Sequence, residues 1–262
     1  MKKIAILGCG NLGLSIVDGL LKSKFCSAAN IIMTRRNLTY LSSYQQQGIY
    51  ITTDNALAAK DADIVILAVK PFQAIEVMKQ ISNELTPNKI LVSAVTGVSI
   101  EELQSVLPPK AKLFRAMPNT AIAIQQSMTC ISYSGSDIND LEWVRQLFSV
   151  LGKVAIIDEK LMDAATVLGA CGTAFALRYI RANIQGGIEI GFSAETAKLI
   201  AAQTVKGAAA LLLENGLHPE QEIDRVTTPR GCTIAGLNEM EHQGFSSSLI
   251  KGLIASYKKI NE

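Results

Sequence analysis

Three glycines near the N-terminus have the spacing of a phosphate-binding loop. Gly8, Gly10 and Gly13 lie in GCGNLG, directly after the apolar run KIAIL and at the start of a segment with helical spacing. In that setting the first glycine permits a tight turn, the second lets a pyrophosphate approach the backbone, and the third lets helix and strand pack closely. Free N–H groups at the helix start would bind the phosphates. The segment predicts a dinucleotide site, and the alternative is a structural glycine-rich turn.

Two arginines follow the second apolar run, IIMT. The chain reads Thr34-Arg35-Arg36 at the place where a site selective for NAD carries an acidic residue that binds the ribose 2′-hydroxyl. Guanidinium groups at this position can hold a 2′-phosphate through charge-assisted, often bidentate hydrogen bonds. The pattern favours NADPH, with NADH as the alternative cofactor, and the competing interpretation is a solvated loop.

The elements that would position this site alternate along the first part of the chain. Short β-branched runs such as KIAIL, IIMT, DIVILAV and KILVSAV alternate with amphipathic segments, and KLFRAM, SMTCISY and KVAII follow. This rhythm predicts an α/β fold with a parallel sheet. From Asp158 onward the β-branched runs give way to Ala-rich helical segments. We therefore predict a Rossmann-type domain in residues 1–158 and an all-α domain in residues 159–262.

The helices of the second domain predict a partner subunit. Segments such as TAFALRYI and LIAAQTVKGAAALLL are apolar on more than one face, and a helix that is apolar nearly all round must be buried. A domain this small offers too little interior to bury such faces. We therefore expect a homodimer, or a higher oligomer built from dimers.

Composition limits the remaining classes of function. The 262 residues are 48% hydrophobic and 18% charged, with a formal net charge of +2 and no run of basic residues, so we expect no nucleic-acid partner. The five cysteines are widely spaced and include no CxxC pair, which predicts reduced thiols in the cytoplasm and no metal site. The most membrane-like stretch, residues 164–177, is shorter than the roughly 20 residues that span a bilayer. We expect no membrane segment.

Several motifs together resemble pyrroline-5-carboxylate reductase. The segments GCGNLG, LAVKP, SAVTGVSI, RAMPNTAIAI and TTPRGCTIAGL occur in the family's order over nearly the whole chain. The resemblance implies a Rossmann domain, a helical dimerisation domain, and NAD(P)H-dependent reduction of the C=N bond of 1-pyrroline-5-carboxylate to L-proline. The small-molecule substrate would be a cyclic imino acid.

The resemblance also implies site residues. Near the substrate it places Glu159, Cys232 and Thr233, and Thr233 would hydrogen-bond the ring nitrogen as the catalytic residue. Gly231 joins the predicted substrate-binding residues as part of the same loop. Pro229 to Thr233 precede an amphipathic segment and so predict a helix start, whose N–H groups could bind a carboxylate; a simple helix cap is the alternative. Along the cofactor, the resemblance and the loop pattern together place Leu7, Gly8, Cys9, Gly10, Asn11, Leu12, Gly13, Arg35, Arg36, Asn55, Ala68, Val69, Lys70, Pro71 and Thr96.

Two segments depart from the family's usual pattern. Residues 169–173 read GACGT where an SGSGP turn is usual, and Arg230-Gly231 replaces paired glycines. Two alternative functions follow: reduction of a related cyclic imine, or a non-catalytic NADP(H)-binding regulatory role. A β-hydroxyacid dehydrogenase is disfavoured, because the segment from Leu161 to Ile190 lacks the lysine expected on its first helix.

Overall fold

The computed structural model describes residues 2–109, 111–134 and 138–260. These residues divide into two compact units, one reaching to Cys171 together with the segment from Tyr257 onward, and one from Gly172 to Ser256. The boundary between the two compact units lies after Cys171. The domain boundary expected after Asp158 therefore stays a prediction.

A single twisted sheet organises the first unit. Within the described residues its strand order is β3-β2-β1-β4-β5-β6-β7-β8. Neighbouring strands from β3 to β6 pair in parallel, β7 pairs with β6 in the antiparallel sense, and β8 pairs in parallel with β7. The strands are β1 Ile4–Leu7, β2 Ile31–Thr34, β3 Tyr50–Thr52, β4 Ile64–Leu67, β5 Ile90–Ser93, β6 Lys112–Met117, β7 Ser127–Ser134 and β8 Gly152–Ile156.

Helices cover both faces of this sheet, as a doubly wound fold requires. Ile4 and Ile6 of β1 face one apolar cluster and Ala5 and Leu7 face the other, because alternate residues of a strand point to opposite faces. The α-helices of this unit are α1 Asn11–Ser23, α2 Ser42–Gln46, α3 Asn55–Asp61, α4 Ala74–Ile81, α5 Ile100–Gln104, α6 Ile138–Ser149 and α7 Met162–Ala165. The predicted α/β class with an N-terminal Rossmann-type sheet is confirmed.

The structure differs from the expected elements in three ways, since two elements were not predicted and one strand runs in the opposite direction. Strand β3 was not predicted, because it has only three residues and a half-exposed pattern. Helix α3 was also missed, although Asp54 caps it by accepting from the Leu57 N–H at 3.0 Å. The strict parallel order breaks at β7, because the short connection after β6 allows only a return in the opposite direction.

The second unit is entirely helical. The expected helix over Leu161 to Ile190 is a continuous helical run that begins in the first unit, where residues Thr166–Cys171 form a π-helical turn. Such turns are rare and occur often at functional sites. Helix α8 spans Gly172–Glu189, followed by α9 Ala194–Asn215, α10 Pro219–Arg225, α11 Cys232–His242 and α12 Phe245–Ile260, whose last residues belong to the first unit.

This helical unit has almost no interior of its own. From Gly172 to Ser256, all of which the structure describes, the buried residues are Ala197 and Ala201. Large apolar side chains such as Ile190 and Leu213 are each 78% exposed. Two helical stretches, Glu159–Glu189 and Ala194–Asn215, have the length and composition to cross a membrane, which is weak evidence by itself. Exposed apolar surface of this extent is typical of a face that takes part in an interaction.

Candidate active site

The three glycines of the β1–α1 loop have three different surroundings. Gly8 has φ +91°, and a Cβ there would lie 2.5 Å from the Val69 Cγ1 and 2.9 Å from the Ala68 carbonyl oxygen. A Cβ on Gly13 would lie 2.7 Å from the Gly8 carbonyl oxygen, whereas a Cβ on Gly10 would meet nothing within 4 Å. Gly8 and Gly13 are therefore required by the fold, and Gly10 faces open space. This is the arrangement expected of a loop that a pyrophosphate approaches.

The N-terminus of α1 is open toward the same space. Gly10 is the N-cap, no side chain caps the helix, and its first turn holds no acidic residue. Asn11 and Leu12 begin the helix, so their backbone N–H groups lack helical acceptors. These N–H groups, together with the positive end of the helix dipole, provide a site for an anionic phosphate.

Leu7 and Cys9 contribute backbone rather than reactive side chains. Both are fully buried, and the Cys9 N–H donates to the Thr34 carbonyl at 2.9 Å. Burial raises the pKa of the Cys9 thiol to about 12, and the nearby Arg35 charge lowers it by less. The thiol is therefore neutral at ordinary pH, and the role of this residue is to fix the loop against β2.

Asn55 joins the glycine loop to α4 through a chain of hydrogen bonds. The Gly8 N–H donates to the Thr34 Oγ1 at 3.2 Å, and that hydroxyl donates to the Asn55 Oδ1 at 2.7 Å. The Asn55 Nδ2 then donates to the Gln80 Oε1 at 3.0 Å. Asn55 thus stabilises the glycine loop through the Thr34 hydroxyl, which gives a physical reason for its place in the predicted cofactor set.

Arg35 and Arg36 differ in how they are held. The Arg35 Nη1 donates to the Cys9 carbonyl at 2.9 Å, which places its guanidinium beside the glycine loop. Arg36 is exposed. The sequence gives no reason to distinguish the two residues, whereas in the structure only Arg35 is hydrogen-bonded to the glycine loop.

The remaining predicted cofactor residues follow β4 and β5. The Ala68 N–H donates to the Leu7 carbonyl at 2.8 Å, so the end of β4 lies directly beside the glycine loop. Lys70 is exposed and precedes a short 3-10 turn that begins with Pro71. Val69 and Thr96 are half-buried, Val69 just after β4 and Thr96 just after β5.

The structure therefore brings the predicted cofactor set to one edge of the sheet. These residues follow the carboxyl ends of β1, β2, β4 and β5, with Asn55 at the start of α3. Strands β2 and β3 lie on one side of β1, whereas β4 and β5 lie on its other side, so the order in which strands are added reverses between β1 and β4. Ligands of open α/β sheets bind at such switch points. Their contacts with a cofactor remain a proposal.

Glu159 is held by groups that the sequence did not single out. Its Oε1 accepts from the Ile100 N–H at 2.5 Å and from the Arg115 Nη1 at 3.1 Å. Arg115 is 4% exposed, and its Nη2 lies 3.9 Å from the Asp163 Oδ1. A charged residue in the middle of the apolar strand KLFRAM is the signal that could have identified Arg115. Its guanidinium fixes the Glu159 carboxylate at the start of the helical run.

The second group of predicted substrate residues starts helix α11. Gly231 is its N-cap, with no side-chain cap and no acidic residue in the first turn. A Cβ on Gly231 would lie 2.5 Å from the Thr228 Oγ1, so a larger residue at this position would displace the Thr228 side chain. Cys232 is exposed and Thr233 is half-buried. The predicted helix start is therefore present, and its N–H groups can bind an anion.

Arg230 adopts a conformation that glycine prefers. Its φ is +61°, in the left-handed region. This geometry explains why the family's usual pattern has glycine here, since a non-glycine residue in this region carries a cost of about 1 kcal/mol or more. Within residues 2–109, 111–134 and 138–260, no group of three or more His, Cys, Asp or Glu residues could hold a metal ion.

Two family models match the two parts of the chain. One describes pyrroline-5-carboxylate reductase dimerisation and matches residues 159–262. The other describes an NADP oxidoreductase, coenzyme F420-dependent, and matches residues 3–97. The second match covers the loop and strand ends that carry the predicted cofactor residues.

Individual relatives extend the similarity over the full chain. Pyrroline-5-carboxylate reductase 1 of Dictyostelium discoideum is 48% identical over 98% of this chain, which spans 49% of that longer relative. Pyrroline-5-carboxylate reductase 2 of the same organism is 44% identical, over 98% of this chain and 92% of the relative. The crystal structure of Plasmodium falciparum pyrroline carboxylate reductase with NADP bound has a TM-score of 0.89 at 25% identity, over 99% of this chain and 97% of that one. The chain belongs to the pyrroline-5-carboxylate reductase family.

Proposed function

We propose that this protein reduces the C=N bond of 1-pyrroline-5-carboxylate to give L-proline, the last step of proline biosynthesis, with NADPH as the hydride donor. The observation that carries the proposal is an open glycine loop and an open α11 N-terminus in a chain that belongs to this family. The first can hold the pyrophosphate and the second can hold a carboxylate.

The glycine loop fits the cofactor. A Cβ built on Gly10 would meet nothing within 4 Å, so there is free space beside this residue. Gly10 is also the N-cap of α1, and no side chain caps the helix at this end. Arg35 lies beside this loop, where a 2′-phosphate would stand. The Plasmodium falciparum relative was solved with NADP bound, which supports the same choice here. Bound NADPH supplies the hydride.

The residues proposed for the substrate hold a small anion and a ring nitrogen. The N–H groups of Cys232 and Thr233 would bind the carboxylate, while Gly231 keeps the approach to them free of a side chain. The Thr233 hydroxyl would hydrogen-bond the ring nitrogen. Glu159 belongs to the proposed set, and its pairing with Arg115 fixes its carboxylate in place.

Catalysis by this chain would consist mainly of positioning. A protonated imine is already electrophilic, so the protein needs to hold the imine carbon near the cofactor and to keep the ring nitrogen in its protonated form. Thr233 would place the ring nitrogen. The helix α11 N-terminus would orient the ring through its carboxylate.

We further propose that the active form is a homodimer in the cytoplasm. The family model that matches residues 159–262 describes dimerisation, and from Gly172 to Ser256 the buried residues are Ala197 and Ala201 alone. A second copy is the occupant that would cover its apolar helices. All five cysteines are free thiols, as a reducing compartment maintains. Light scattering should give twice the monomer mass, and a stable, active monomer would contradict the dimer.

Turnover of purified protein tests the proposed reaction. Incubation with 1-pyrroline-5-carboxylate should produce proline and consume NADPH in equal amounts, and NADH should serve less well. Turnover of another cyclic imine in preference to this one would favour the related-imine alternative. NADPH binding without turnover of either substrate would favour the regulatory alternative.

A further inference from the structure

Arg35 is held at three points within the first unit. Its N–H donates to the Thr52 carbonyl of β3 at 3.3 Å, and its Nη1 donates to the Cys9 carbonyl at 2.9 Å. The centre of its guanidinium lies 4.3 Å from the centroid of the Tyr40 ring. Backbone, hydrogen bond and aromatic face together fix a long side chain that would otherwise sample many rotamers.

Tyr40 owes its place to a short 3-10 turn, Leu38–Leu41. The Asn37 side chain caps this turn by accepting from the Thr39 N–H at 3.0 Å, and Leu41 anchors it with a fully buried side chain. Tyr40, the residue before Leu41, lies on the outer side of the turn and is 64% exposed. Burial does not explain a large aromatic residue with that exposure, whereas contact with the Arg35 guanidinium does.

Arg36 provides the contrast. It is exposed, and in the described part of the chain its side chain has no hydrogen bond, ion pair or aromatic contact. The two neighbouring arginines therefore differ in preorganisation. A guanidinium that is already fixed loses less conformational entropy when it binds a phosphate.

We propose that Tyr40 is a positioning residue for cofactor selection, and that Arg35, held by the Tyr40 ring, is the main contact of the 2′-phosphate. The bond to Cys9 uses one of the five N–H groups of a guanidinium, and the others have no protein acceptor among the described residues. The inference rests on the proposed use of NADPH. It extends that proposal by assigning selectivity to one arginine and to the ring beneath it.

Direct binding measurements test this assignment without the imino acid. Dissociation constants of NADPH and NADH are measured by calorimetry for the wild type, Tyr40→Leu and Tyr40→Phe. Tyr40→Leu removes a cation–π contact at an exposed site, so it should weaken NADPH binding about two- to fivefold and leave NADH unchanged. Tyr40→Phe keeps the aromatic face and should retain the wild-type values. Tyr50→Leu, at another exposed tyrosine of the same unit, is the matched control.

Replacement of each arginine completes the test. Arg35→Ala should remove most of the preference for NADPH, and Arg36→Ala should keep most of it. Equal weakening of both cofactors by Tyr40→Leu would show that the ring contacts the adenosine common to both, and would overturn the inference. A wild-type preference that Tyr40→Leu leaves intact would overturn it too, without touching the proposed function. A wild type with no preference for NADPH would overturn the proposed cofactor first.

Discussion

The glycine loop offers a pair of substitutions whose effects should separate folding from binding. In Gly13→Ala the new Cβ would lie 2.7 Å from the Gly8 carbonyl oxygen, so the backbone of the loop must move. Overpacking of this kind costs about 1 to 3 kcal/mol, and the better helix propensity of alanine returns up to about 1 kcal/mol. We expect Gly13→Ala to lower the free energy of unfolding by about 1 kcal/mol.

Gly10→Ala should have the opposite profile. The new Cβ meets nothing within 4 Å, and the φ of −82° suits alanine. Alanine is a poorer N-cap residue than glycine, which destabilises the folded protein. Alanine also lowers the conformational entropy of the unfolded chain, which stabilises the folded protein. Because the two effects oppose each other, the free energy of unfolding should change by less than about 0.5 kcal/mol. The same Cβ occupies the approach of the pyrophosphate, so NADPH affinity should fall on the order of tenfold, about 1.4 kcal/mol.

Two measurements on each variant separate the effect on stability from the effect on cofactor binding. Urea unfolding of the free protein gives the stability change, and titration with NADPH gives the change in affinity. If Gly13→Ala is as stable as Gly10→Ala, the contact between α1 and the Gly8 carbonyl does not require glycine at position 13, and the predicted loss of stability is wrong. If Gly10→Ala binds NADPH as the wild type does, the pyrophosphate does not lie against Gly10 and the site assignment is wrong.

Further predictions concern the substrate helix and the thiols. Thr233→Val keeps the shape of the side chain but deletes the hydroxyl, so kcat/KM for the imino acid should fall roughly tenfold, about 1.4 kcal/mol for one hydrogen bond. Arg230→Gly should retain most activity, because its φ of +61° suits glycine, and steady-state kinetics showing the reverse pattern would assign carboxylate recognition to Arg230. Alkylation of the native protein at pH 8 should modify the exposed Cys232 well before the buried Cys9, and peptide mass spectrometry showing equal rates would contradict the burial of Cys9. Because burial raises the folded-state pKa of Cys9 from 9.0 to about 12, its stabilising contribution should be complete below pH 9 and be lost as the pH rises toward 12, a loss that Cys9→Ala should lack in alkaline unfolding curves.

Local patterns predicted much of the cofactor edge. The spacing of Gly8, Gly10 and Gly13 specifies a strand, a turn and a helix in contact, so the loop geometry follows from residues that are close in sequence. The position of Arg35 after β2 also follows from the alternation of elements. Its contacts with Cys9 and Tyr40 do not, because no periodicity encodes the path of a long side chain.

Long-range pairing explains what the sequence left unpredicted. Arg115 and Glu159 are 44 residues apart, and nothing in either segment indicates that β6 places one beside the other. The same holds for the Glu159 bond to Ile100, which is 59 residues away. The helix start at Cys232 was predictable because a proline and a glycine precede an amphipathic run, a signal contained in a few residues.

The proposed reaction can be followed atom by atom with labelled cofactor. The protein is incubated with 1-pyrroline-5-carboxylate and NADPH that carries deuterium at both C4 positions of the nicotinamide ring, and the product is analysed by mass spectrometry. We expect proline one mass unit heavier than the unlabelled amino acid, with the deuterium at the former imine carbon. Absence of proline, or proline without deuterium, would contradict the account.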